Sequence, residues 1–403
     1  MHCVRLYPSP TQAAKLRFTL DATSQLYNAL LQERRDAWRR RKISVTAKQQ
    51  YAEITDLRKV ATRIRAVYRE CEDAVLHRLD LAFQAFFRRV KGGDTPGFPR
   101  FKPASRWRQI EYPHGNRALR FNAEQTKVCV PGIGSVRLRK GREVPRFGRA
   151  FIVEKNGHWY ATFECQREPT PLPKNGKMIG VDRGVQVLAA TSDGVLIANG
   201  RFGERHRRVV VGHQRSLEAA TERDAGGACL NRADPHRKAS VLRLARAQER
   251  LAKARLDALH KAALRIVRSA DLVALEDLRV VSMTRSAKGT VEQPGRNVAA
   301  KSGLNRAMLD AGFGILARLI REKAAYAVRE VIAVDPRYSS RTCGRCFHVA
   351  AKSRRRRRFA CVRCGWTCHA DVAAALEIRR RAELRPTSEL PRARTPLEQH
   401  DVA

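Results

Sequence analysis

Two Cys-x-x-Cys pairs near the C-terminus constrain the fold of this chain more than any other feature. Fourteen residues separate the pairs, which are Cys343 with Cys346 and Cys361 with Cys364. Four thiolates at this spacing are typical of a tetrahedral zinc site whose ligands are all protein sulfurs. We therefore predict a structural zinc ribbon at about residues 338–368, in which the metal has no open position for water.

The spacing of the cysteines alone does not decide between zinc and other chemistry. A rubredoxin-like iron site or a redox-active cysteine pair fits the same pattern. Cys368 is a competing ligand because it follows Cys364 by only four residues. The cysteines outside the two pairs are scattered, which in a reducing compartment indicates free thiols.

The chain is strongly basic along its whole length. It contains 80 Lys and Arg residues against 39 Asp and Glu residues, a formal net charge of +41. A compact protein with this charge repels itself unless a polyanion screens it, so we predict a nucleic-acid partner. An acidic membrane surface is the alternative, but the sequence shows no basic amphipathic helix with a bulky apolar face. The absence of an apolar signal region and of a membrane-spanning apolar run predicts a cytoplasmic protein.

The first 168 residues combine strand and helix patterns. His2 to Leu6 alternate as in a strand, and Ser9-Pro10 then provides a helix N-cap followed by a proline at the first helical position. Short strand patterns follow the helices, among them a hairpin about Asn156-Gly157. We predict a β-barrel over residues 1–168, with a helical lobe inserted at about residues 10–92.

Aromatic and basic residues alternate just after the predicted helical lobe. Rings interleaved with cations can stack on nucleobases, but rings such as Trp107 and Tyr112 fit equally well into the core of the barrel. The residues in this stretch that we consider for nucleic-acid contact are Arg100, Lys102, Arg106 and Trp107.

A proline-rich linker at residues 169–175 precedes a second domain, which we assign to residues 176–383. This domain opens with a buried strand at 178–185, a second strand at 187–191 and a third at 195–198. Three short consecutive strands of this kind are the opening meander of an RNase H-like domain. The predicted fold class is therefore multidomain α/β, with the zinc ribbon inserted in the second domain.

The rest of the second domain alternates helices and buried strands. We predict a long helix at about 240–267, a strand at 270–278, a helix from Leu304 to Ile320 and a strand at 331–334. Residues 284–303 are polar and contain glycine, which suggests a loop or lid. The final predictions are a small apolar helix opened by Asp371 and a disordered tail at 384–403.

Three acids occupy comparable positions in the second domain. Asp182 lies within an apolar strand, Glu276 ends another, and Asp371 lies in the first turn of a helix. A carboxylate at the edge of a core is costly unless a cation neutralises it. Two Mg²⁺ ions held by such acids can stabilise both the attacking and the leaving oxygen of a phosphodiester. For any single acid, a capping or salt-bridging role is the alternative.

With these motifs the chain resembles the TnpB family, transposon-encoded RNA-guided nucleases related to compact type V CRISPR effectors. The resemblance covers nearly the whole chain in family order, including Gly180-Val181-Asp182-Arg183-Gly184-Val185 and Leu275-Glu276-Asp277-Leu278. The other matching segments are residues 5–12, 85–90, 96–102, 310–314, 334–338, the four-cysteine ribbon and 370–375.

The resemblance implies a RuvC-like nuclease whose catalytic acids are Asp182, Glu276 and Asp371. It also implies that the N-terminal barrel and helical lobe hold a guide RNA derived from the transposon end, paired with a double-stranded DNA target. The protein would read a short motif beside the target while base pairing reads the rest. Arg183 stands where many members have an aliphatic residue, and Ala373 where asparagine is common; neither replaces a metal-binding acid. Ala373 removes a polar group near Asp371, which predicts weaker activity.

Our hypothesis is an RNA-guided, Mg²⁺-dependent DNA endonuclease that acts as a monomer. Arginines of the ribbon would hold phosphates, although a solvated loop explains them as well; the residues considered are Arg354, Arg355 and Arg356. The alternatives are a nuclease-inactive, guide-RNA-dependent DNA-binding regulator, a strand-joining transposase and a CRISPR-associated effector. Loss of an acid would favour the regulator, and none of the three acids is lost.

Overall fold

The structure is a computed structural model, which describes residues 1–139, 141, 143–290 and 292–384. The chain divides into two compact units, with the boundary between Arg167 and Glu168. The predicted tail lies outside the described residues from position 385 onward. None of the helices in the described ranges has the length and apolar character needed to cross a membrane.

A seven-stranded antiparallel sheet forms the base of the first unit. Its strands are β1 (His2–Tyr7), β2 (Gln109–Tyr112), β3 (Arg120–Phe121), β4 (Lys127–Val130), β5 (Gly134–Leu138), β6 (Phe147–Lys155) and β7 (His158–Cys165). They pair in the order β2-β6-β7-β1-β5-β4-β3. The ring of Phe121, on one edge strand, lies 6.0 Å from that of Phe147 and 5.5 Å from that of Phe163. The sheet therefore curls on itself, although the described pairings do not join β3 to β2 as in a closed barrel.

The helical lobe is inserted between β1 and β2. It consists of α1 (Pro10–Arg41), α2 (Ala47–Val60), α3 (Thr62–Arg65) and α4 (Arg69–Lys91), and the short α5 (Gly115–Ala118) follows β2. Capping boxes begin the first two helices, because Ser9 pairs with Gln12 and Thr46 with Gln49. The helix start predicted at Ser9 is confirmed, and Thr46 caps the start of α2 in the same way.

One apolar core joins the helices to the sheet, with Leu16, Tyr27, Leu79 and Phe163 among its fully buried residues. The predicted hairpin is also confirmed: β6 and β7 meet at Asn156 and Gly157, whose φ angles of 52° and 74° suit a two-residue turn with positive φ at both positions.

A five-stranded mixed sheet organises the second unit. Its strands are β8 (Met178–Asp182), β9 (Val187–Thr191), β10 (Leu196–Ala198), β11 (Leu272–Glu276) and β12 (Glu330–Val334). The order is β10-β9-β8-β11-β12, with β8, β11 and β12 parallel and the first three strands forming the predicted meander. The helices of this unit are α6 (Phe202–Ala219), α7 (Pro235–Ser269), α8 (Val280–Met283), α9 (Val298–Ala311), α10 (Phe313–Tyr326) and α11 (Ala370–Glu383).

Three sequence-based assignments in this unit need correction. The apolar residues from Leu304 to Ile320 belong to two helices, because Gly312 adopts a left-handed φ of 69° and ends α9. Residues 298–303 are helical, so only the first part of the polar stretch at 284–303 is a loop, with residue 291 outside the described set. The buried strand ends at Asp182 rather than Val185.

The four-cysteine segment folds as a small three-stranded sheet immediately before α11. Its strands are β13 (Arg354–Arg355), β14 (Arg358–Ala360) and β15 (Thr367–His369). The backbone N–H of Ala370 donates to the carbonyl of Arg357 at 2.7 Å, which fixes the start of α11 against this sheet. The helix then crosses β8, where a Cβ at Gly180 would overlap the carbonyl oxygen of Ala375.

Candidate functional site

Asp182 and Glu276 lie at the same edge of the second sheet. Strands β8 and β11 run parallel, with Val181 opposite Leu275, and continuing this register by one residue brings Asp182 beside Glu276. Both carboxylates therefore stand at the carboxyl ends of adjacent parallel strands. That edge is where open α/β sheets commonly bind ligands.

Asp371 reaches the same edge from the first turn of α11. Its Oδ2 lies 4.0 Å from the position that a Cβ would occupy on Gly184, two residues after Asp182. The close approach of α11 to β8 depends on Gly180, because a side chain there would collide with the backbone of the helix. The structure thus brings together three acids that lie far apart in the sequence.

The acids interact electrostatically. Burial, followed by the charges of Glu276 and Asp371, raises the pKa of Asp182 from 3.8 to about 7. Burial also raises the pKa of Glu276, although the hydroxyl of Ser339 and the guanidinium of Arg183 oppose the rise. Two buried carboxylates whose ionisation burial opposes, together with the nearby charge of Asp371, offer hard oxygen donors that a divalent cation would neutralise.

Two neighbouring polar side chains orient the carboxylates. The hydroxyl of Ser339 donates to Oε1 of Glu276 at 2.6 Å. From the ribbon, Nη2 of Arg354 donates to Oδ1 of Asp371 at 2.9 Å. Ser339 was not singled out in the sequence, where it is one of two consecutive serines after Tyr338 and nothing marks it.

Arg183 is buried directly behind the acids. Its side chain is 6% exposed, and its guanidinium donates to the carbonyl of Phe313 at 3.1 Å and to the carbonyl of Glu276 at 2.5 Å. Arg183 therefore connects the end of β11 to the start of α10 by hydrogen bonds. In the sequence it was noted only as a departure from the family pattern. Burial lowers the pKa of Arg183, and the charge of Glu276 opposes that change.

The four cysteines of the ribbon converge on one point. Their sulfur atoms all lie within 4.8 Å of one another, with Cys343 and Cys364 3.7 Å apart and Cys346 and Cys361 3.5 Å apart. Four sulfurs about 2.3 Å from a tetrahedral zinc ion are separated by about 3.8 Å. The geometry therefore fits a four-coordinate metal.

Cys368 is separate from this group. Its Sγ lies 3.3 Å from the carbonyl oxygen of His369, and burial raises its pKa to about 11. The pKa of Cys361 moves the other way: burial raises it, but the backbone N–H groups of Cys364 and Arg363 bring it down to about 6. Such backbone donors favour the thiolate, which is the form that binds a metal.

The ribbon is packed against the helix that carries Asp371. Cys343, Cys361 and Phe359 share a small buried cluster with Ala370 and Ala373 of α11. Ala373, which replaces the asparagine common in the family, is fully buried in this cluster. An apolar residue at this position is therefore used for packing of the ribbon on the helix.

Of the basic residues considered for nucleic-acid contact, four are exposed and two are partly buried by other side chains. Arg100 and Arg106 of the first unit and Arg355 and Arg356 of the ribbon are exposed. Lys102 is half-buried, with its Nζ 4.8 Å from the ring centre of Tyr27. Arg354 is occupied by Asp371, so its guanidinium is not part of an open solvated loop.

The stacking interpretation is wrong for Trp107. The side chain is 4% exposed within the core, and its Nε1 donates to the hydroxyl of Thr23 at 2.9 Å. Helix α1 covers the ring of Trp107, and the edge of the ring is hydrogen-bonded to Thr23 of that helix, so no nucleobase can stack on it. The alternative interpretation, a core aromatic residue, is the one that the structure supports for Trp107 and also for Tyr112.

Family sequence models match three parts of the chain. They are described as "Cas12f1-like, TNB domain" at residues 313–378, "Probable transposase" of the OrfB_IS605 group at 162–287, and "Helix-turn-helix domain" at 1–42. Residues 1–42 fold as β1 and the single long helix α1, with Lys42 as its C-cap.

Two curated relatives match most of the chain. One, from Escherichia coli K12, is named "Putative RNA-guided DNA endonuclease InsQ"; it is 32% identical over 306 residues, covering 75% of this chain and 72% of its own length. The other, from Streptomyces pristinaespiralis, is named "Putative RNA-guided DNA endonuclease" and is 29% identical over 93% of this chain and 87% of its own length.

The fold has a relative among solved structures. The chain is similar to the protein in a cryo-EM structure of a Cas12f1–sgRNA–target DNA complex, with a TM-score of 0.53 and 14% identity over 92% of this chain and 82% of that one. Together with the transposase model and the 32% identity to InsQ, this similarity leads to one conclusion. The chain belongs to the TnpB family.

Proposed function

We propose that this protein is an RNA-guided, Mg²⁺-dependent DNA endonuclease of a transposable element. The observation that carries the proposal is the convergence of Asp182, Glu276 and Asp371 at one sheet edge. Membership of a family does not by itself show that a given chain retains a complete active site. The names of both curated relatives as RNA-guided DNA endonucleases support the proposal. We further propose that the target lies beside a short transposon-associated motif.

The nuclease chemistry would be of the RuvC type. The strand order of the second unit, with an antiparallel meander followed by two parallel strands, supports an RNase H-like domain over residues 176–383. Asp182, Glu276 and Asp371 would hold two Mg²⁺ ions. When bound, such ions supply an activated water and stabilise the leaving 3′-oxygen.

The residues of the chain have separate tasks in this scheme. Asp182 must lose its proton to bind a cation, and with a pKa of about 7 it does so near neutral pH. Ser339 holds the carboxylate of Glu276 in one orientation, while Arg183 holds the backbone of the same residue. Arg354 compensates the charge of Asp371 and keeps its carboxylate at the sheet edge.

The four-cysteine cluster would hold a structural zinc ion. Its four sulfur ligands leave no position for water, so its contribution is to position the ribbon, Arg354 and the first turn of α11. In this scheme the ribbon, at about residues 338–368, supports the acid site through packing rather than through chemistry.

Guide RNA and target DNA are the proposed partners of a monomeric protein. The net charge of +41 requires a polyanion, and the structural relative is described as a complex with sgRNA and target DNA. We propose that the curled sheet and helical lobe of residues 1–168 bind the RNA, with residues 169–175 as the linker to the nuclease domain. Exposed Arg100, Arg106, Arg355 and Arg356 are candidates for phosphate contacts.

Co-purification of RNA tests this function. The protein is expressed with RNA from its own locus, and the RNA that stays bound is sequenced. A defined small RNA, with plasmid cleavage that requires that RNA and Mg²⁺, is the expected result. A defined RNA without cleavage in Mg²⁺ would instead indicate the nuclease-inactive regulator, and strand-transfer products would indicate the transposase.

A further inference from the structure

A groove of about 1410 Å³ in the helical lobe has no assigned role. It lies between the C-terminal half of α1, the start of α2, α4 and the segment 96–101, and we name it the aromatic groove. Pockets for drug-sized ligands are about 300–1,000 Å³, so the aromatic groove is large enough for more than one nucleotide.

Exposed aromatic side chains line the aromatic groove. Trp38 is 56% exposed, Phe87 60%, Phe98 45% and Phe101 42%. Phe98 meets the edges of two rings of α4, with its centroid 5.4 Å from Phe86 and 5.6 Å from Phe83. Exposing several aromatic rings to water at one place costs free energy, and such exposed apolar patches are typical of binding sites.

The segment that contributes Phe98 and Phe101 is anchored to α1. The backbone N–H of Lys102 donates to Oδ1 of Asn28 at 2.9 Å, and its carbonyl accepts from Nδ2 of Asn28 at 3.0 Å and from Ser24 Oγ at 3.1 Å. The aromatic groove is therefore formed before any partner binds, which lowers the entropy cost of binding.

The charge of the aromatic groove favours a polyanion. Among the described residues its charged lining is basic, apart from Asp80, which pairs with Arg34 at 3.2 Å. The basic lining residues are Arg34, Arg35, Arg39, Lys48 and Arg100. Arg35 lies over the ring of Phe101 at 5.7 Å, so cation and ring form one surface.

Arg34 provides an independent sign of a missing acceptor. Its side chain is 8% exposed and its Nε donates to Gln50, yet its Nη2 is buried without a hydrogen-bond partner in the described part of the chain. A buried guanidinium N–H without an acceptor is costly. A phosphate or base oxygen entering the aromatic groove would supply one.

We propose that the aromatic groove binds unpaired bases of an RNA strand, and this inference rests on the proposed function because that function supplies the RNA. Duplex bases are already stacked, whereas unpaired bases offer free faces to aromatic side chains. The RNA is the resident partner of a guided nuclease and covers the rings between targets, whereas target DNA is bound only transiently. A basic protein is disfavoured as the partner, because the only acidic residue in the described lining, Asp80, is already paired with Arg34.

The test measures binding of a fluorescein-labelled 12-nucleotide oligouridylate RNA to the full-length protein by anisotropy. Trp38→Ala and Phe101→Ala are expected to raise Kd by about fivefold to more than a hundredfold each, since base stacking contributes about 1–3 kcal/mol per base. The dependence of Kd on salt should stay unchanged, because no phosphate contact is removed. Phe18→Ala, an exposed ring on the same helix outside the aromatic groove, is the matched control and should bind within about twofold of wild type.

Tryptophan fluorescence distinguishes contact from an indirect effect. Of the four tryptophans, Trp38 is exposed, Trp107 and Trp159 are buried, and Trp366 is half-buried in the ribbon. RNA stacking should quench the emission of Trp38, and the part of the quenching that Trp38→Phe removes is the part that comes from Trp38. Trp38→Phe should keep most of the affinity, because a ring remains, but lose the quenching. Unchanged binding by Trp38→Ala and Phe101→Ala, or an equal loss in Phe18→Ala, would overturn the proposal.

The same variants are tested with a 12-nucleotide oligothymidylate DNA. Weakening confined to the DNA probe would overturn the assignment to RNA, whereas weakening of RNA binding supports it. Cleavage is not read out in this experiment, so failure of the nuclease function and failure of the aromatic groove remain distinguishable.

Discussion

Arg183 is a buried arginine directly after Asp182, the first of the three acids. A buried guanidinium is costly unless its N–H groups are satisfied, and here two of them bond to the carbonyls of Glu276 and Phe313. These carbonyls belong to a strand and a helix that lie far apart in sequence. The sequence showed an arginine beside a proposed catalytic acid, but the partners of this arginine depend on tertiary contacts that no local pattern encodes.

Arg183→Leu should weaken both the fold and the proposed Mg²⁺ site. Leaving buried carbonyls unpaired costs about 1–3 kcal/mol, which corresponds to a fall in Tm of roughly 2–10 °C for a unit of this size. Loss of a group that orients a metal ligand should raise the Mg²⁺ concentration for half-maximal cleavage by about tenfold. Arg183→Lys should recover part of the loss, and Arg265→Leu, an exposed arginine of α7, is the control. An unchanged Mg²⁺ requirement in Arg183→Leu would show that Arg183 does not position Glu276.

Asp182 should make stability depend on pH in Mg²⁺-free buffer. Its folded pKa of about 7 exceeds the ordinary value of 3.8, so the folded state binds the proton more tightly than the unfolded state. The resulting stability is fully present below about pH 4 and is lost as the pH rises through about 7, by about 4 kcal/mol at most.

Thermal unfolding at pH 5 and pH 8 measures this effect. We expect Asp182→Asn to show a smaller fall in Tm between the two pH values than wild type, and Mg²⁺ to reduce the fall in wild type by binding the ionised acid. Asp193→Asn, in the exposed turn between β9 and β10, is the control. If Asp182→Asn and wild type lose the same Tm, Asp182 does not titrate as described.

At the scale of elements, helix α11 connects the ribbon to the sheet. The helix meets β8 at Gly180, and its first turn packs on the cysteine cluster through Ala370 and Ala373. The strand-end position of Glu276 was predicted, because the apolar run before it and its limit are visible in the sequence. Asp182 was placed within its strand, because the residues up to Val185 continue the pattern, whereas the strand ends at Asp182. The approach of Asp371 was expected only from the family resemblance, since a helix N-terminus alone does not specify what it faces.

Gly180→Ala should separate α11 from β8. The new Cβ would overlap the carbonyl of Ala375 and the backbone nitrogen of Arg379, and backbone atoms cannot move as a flexible side chain does. Overpacking typically costs about 1–3 kcal/mol, so Tm should fall by roughly 2–10 °C. Gly314→Ala in α10, where the Cβ has open space, should leave Tm unchanged or raise it. Equal Tm values for the two variants would contradict the described contact.

Cys361→Ser should remove the proposed zinc ion and disable the acid site together. The metal content is expected to fall by one equivalent per chain, and cleavage by about a hundredfold, because displacement of Asp371 by about 1 Å is enough for such a loss. Cys368→Ser should keep the metal and the activity, since its sulfur lies outside the four-cysteine cluster. Loss of zinc from Cys368→Ser but not from Cys361→Ser would identify a different ligand set.

Sequence patterns located some elements better than others. The capping boxes at Ser9 and Thr46 are local signals, and both helices begin there. Helix α9 begins within a stretch assigned to a loop, because its first residues, Val298 to Gly303, are mostly small and show no apolar periodicity. The burial of Trp107 could likewise not be predicted, because the residues that cover it, Thr23 and its neighbours in α1, lie some eighty residues earlier in the chain.

At the scale of the whole molecule, charge determines what the protein needs as a partner. The excess of 41 positive charges is spread over both units, so a polyanion that contacts only one of them leaves much of the repulsion in place. A guide RNA with its DNA target is long enough to contact both. The same charge predicts non-specific binding to nucleic acids that weakens steeply with salt, which makes sequence-directed cleavage a more informative readout than binding.

The most direct test of the account is cleavage of two plasmids by the protein–RNA complex with two different guide sequences. Wild type is predicted to cut, in Mg²⁺, only the plasmid that matches the guide, and the cut should move to the other plasmid when the guide is exchanged. Asp182→Ala, Glu276→Gln and Asp371→Asn should retain the RNA and lose cleavage, whereas Asp193→Asn should cut as wild type does. Cutting that ignores the guide, or that persists in the three acid variants, would contradict the central claim.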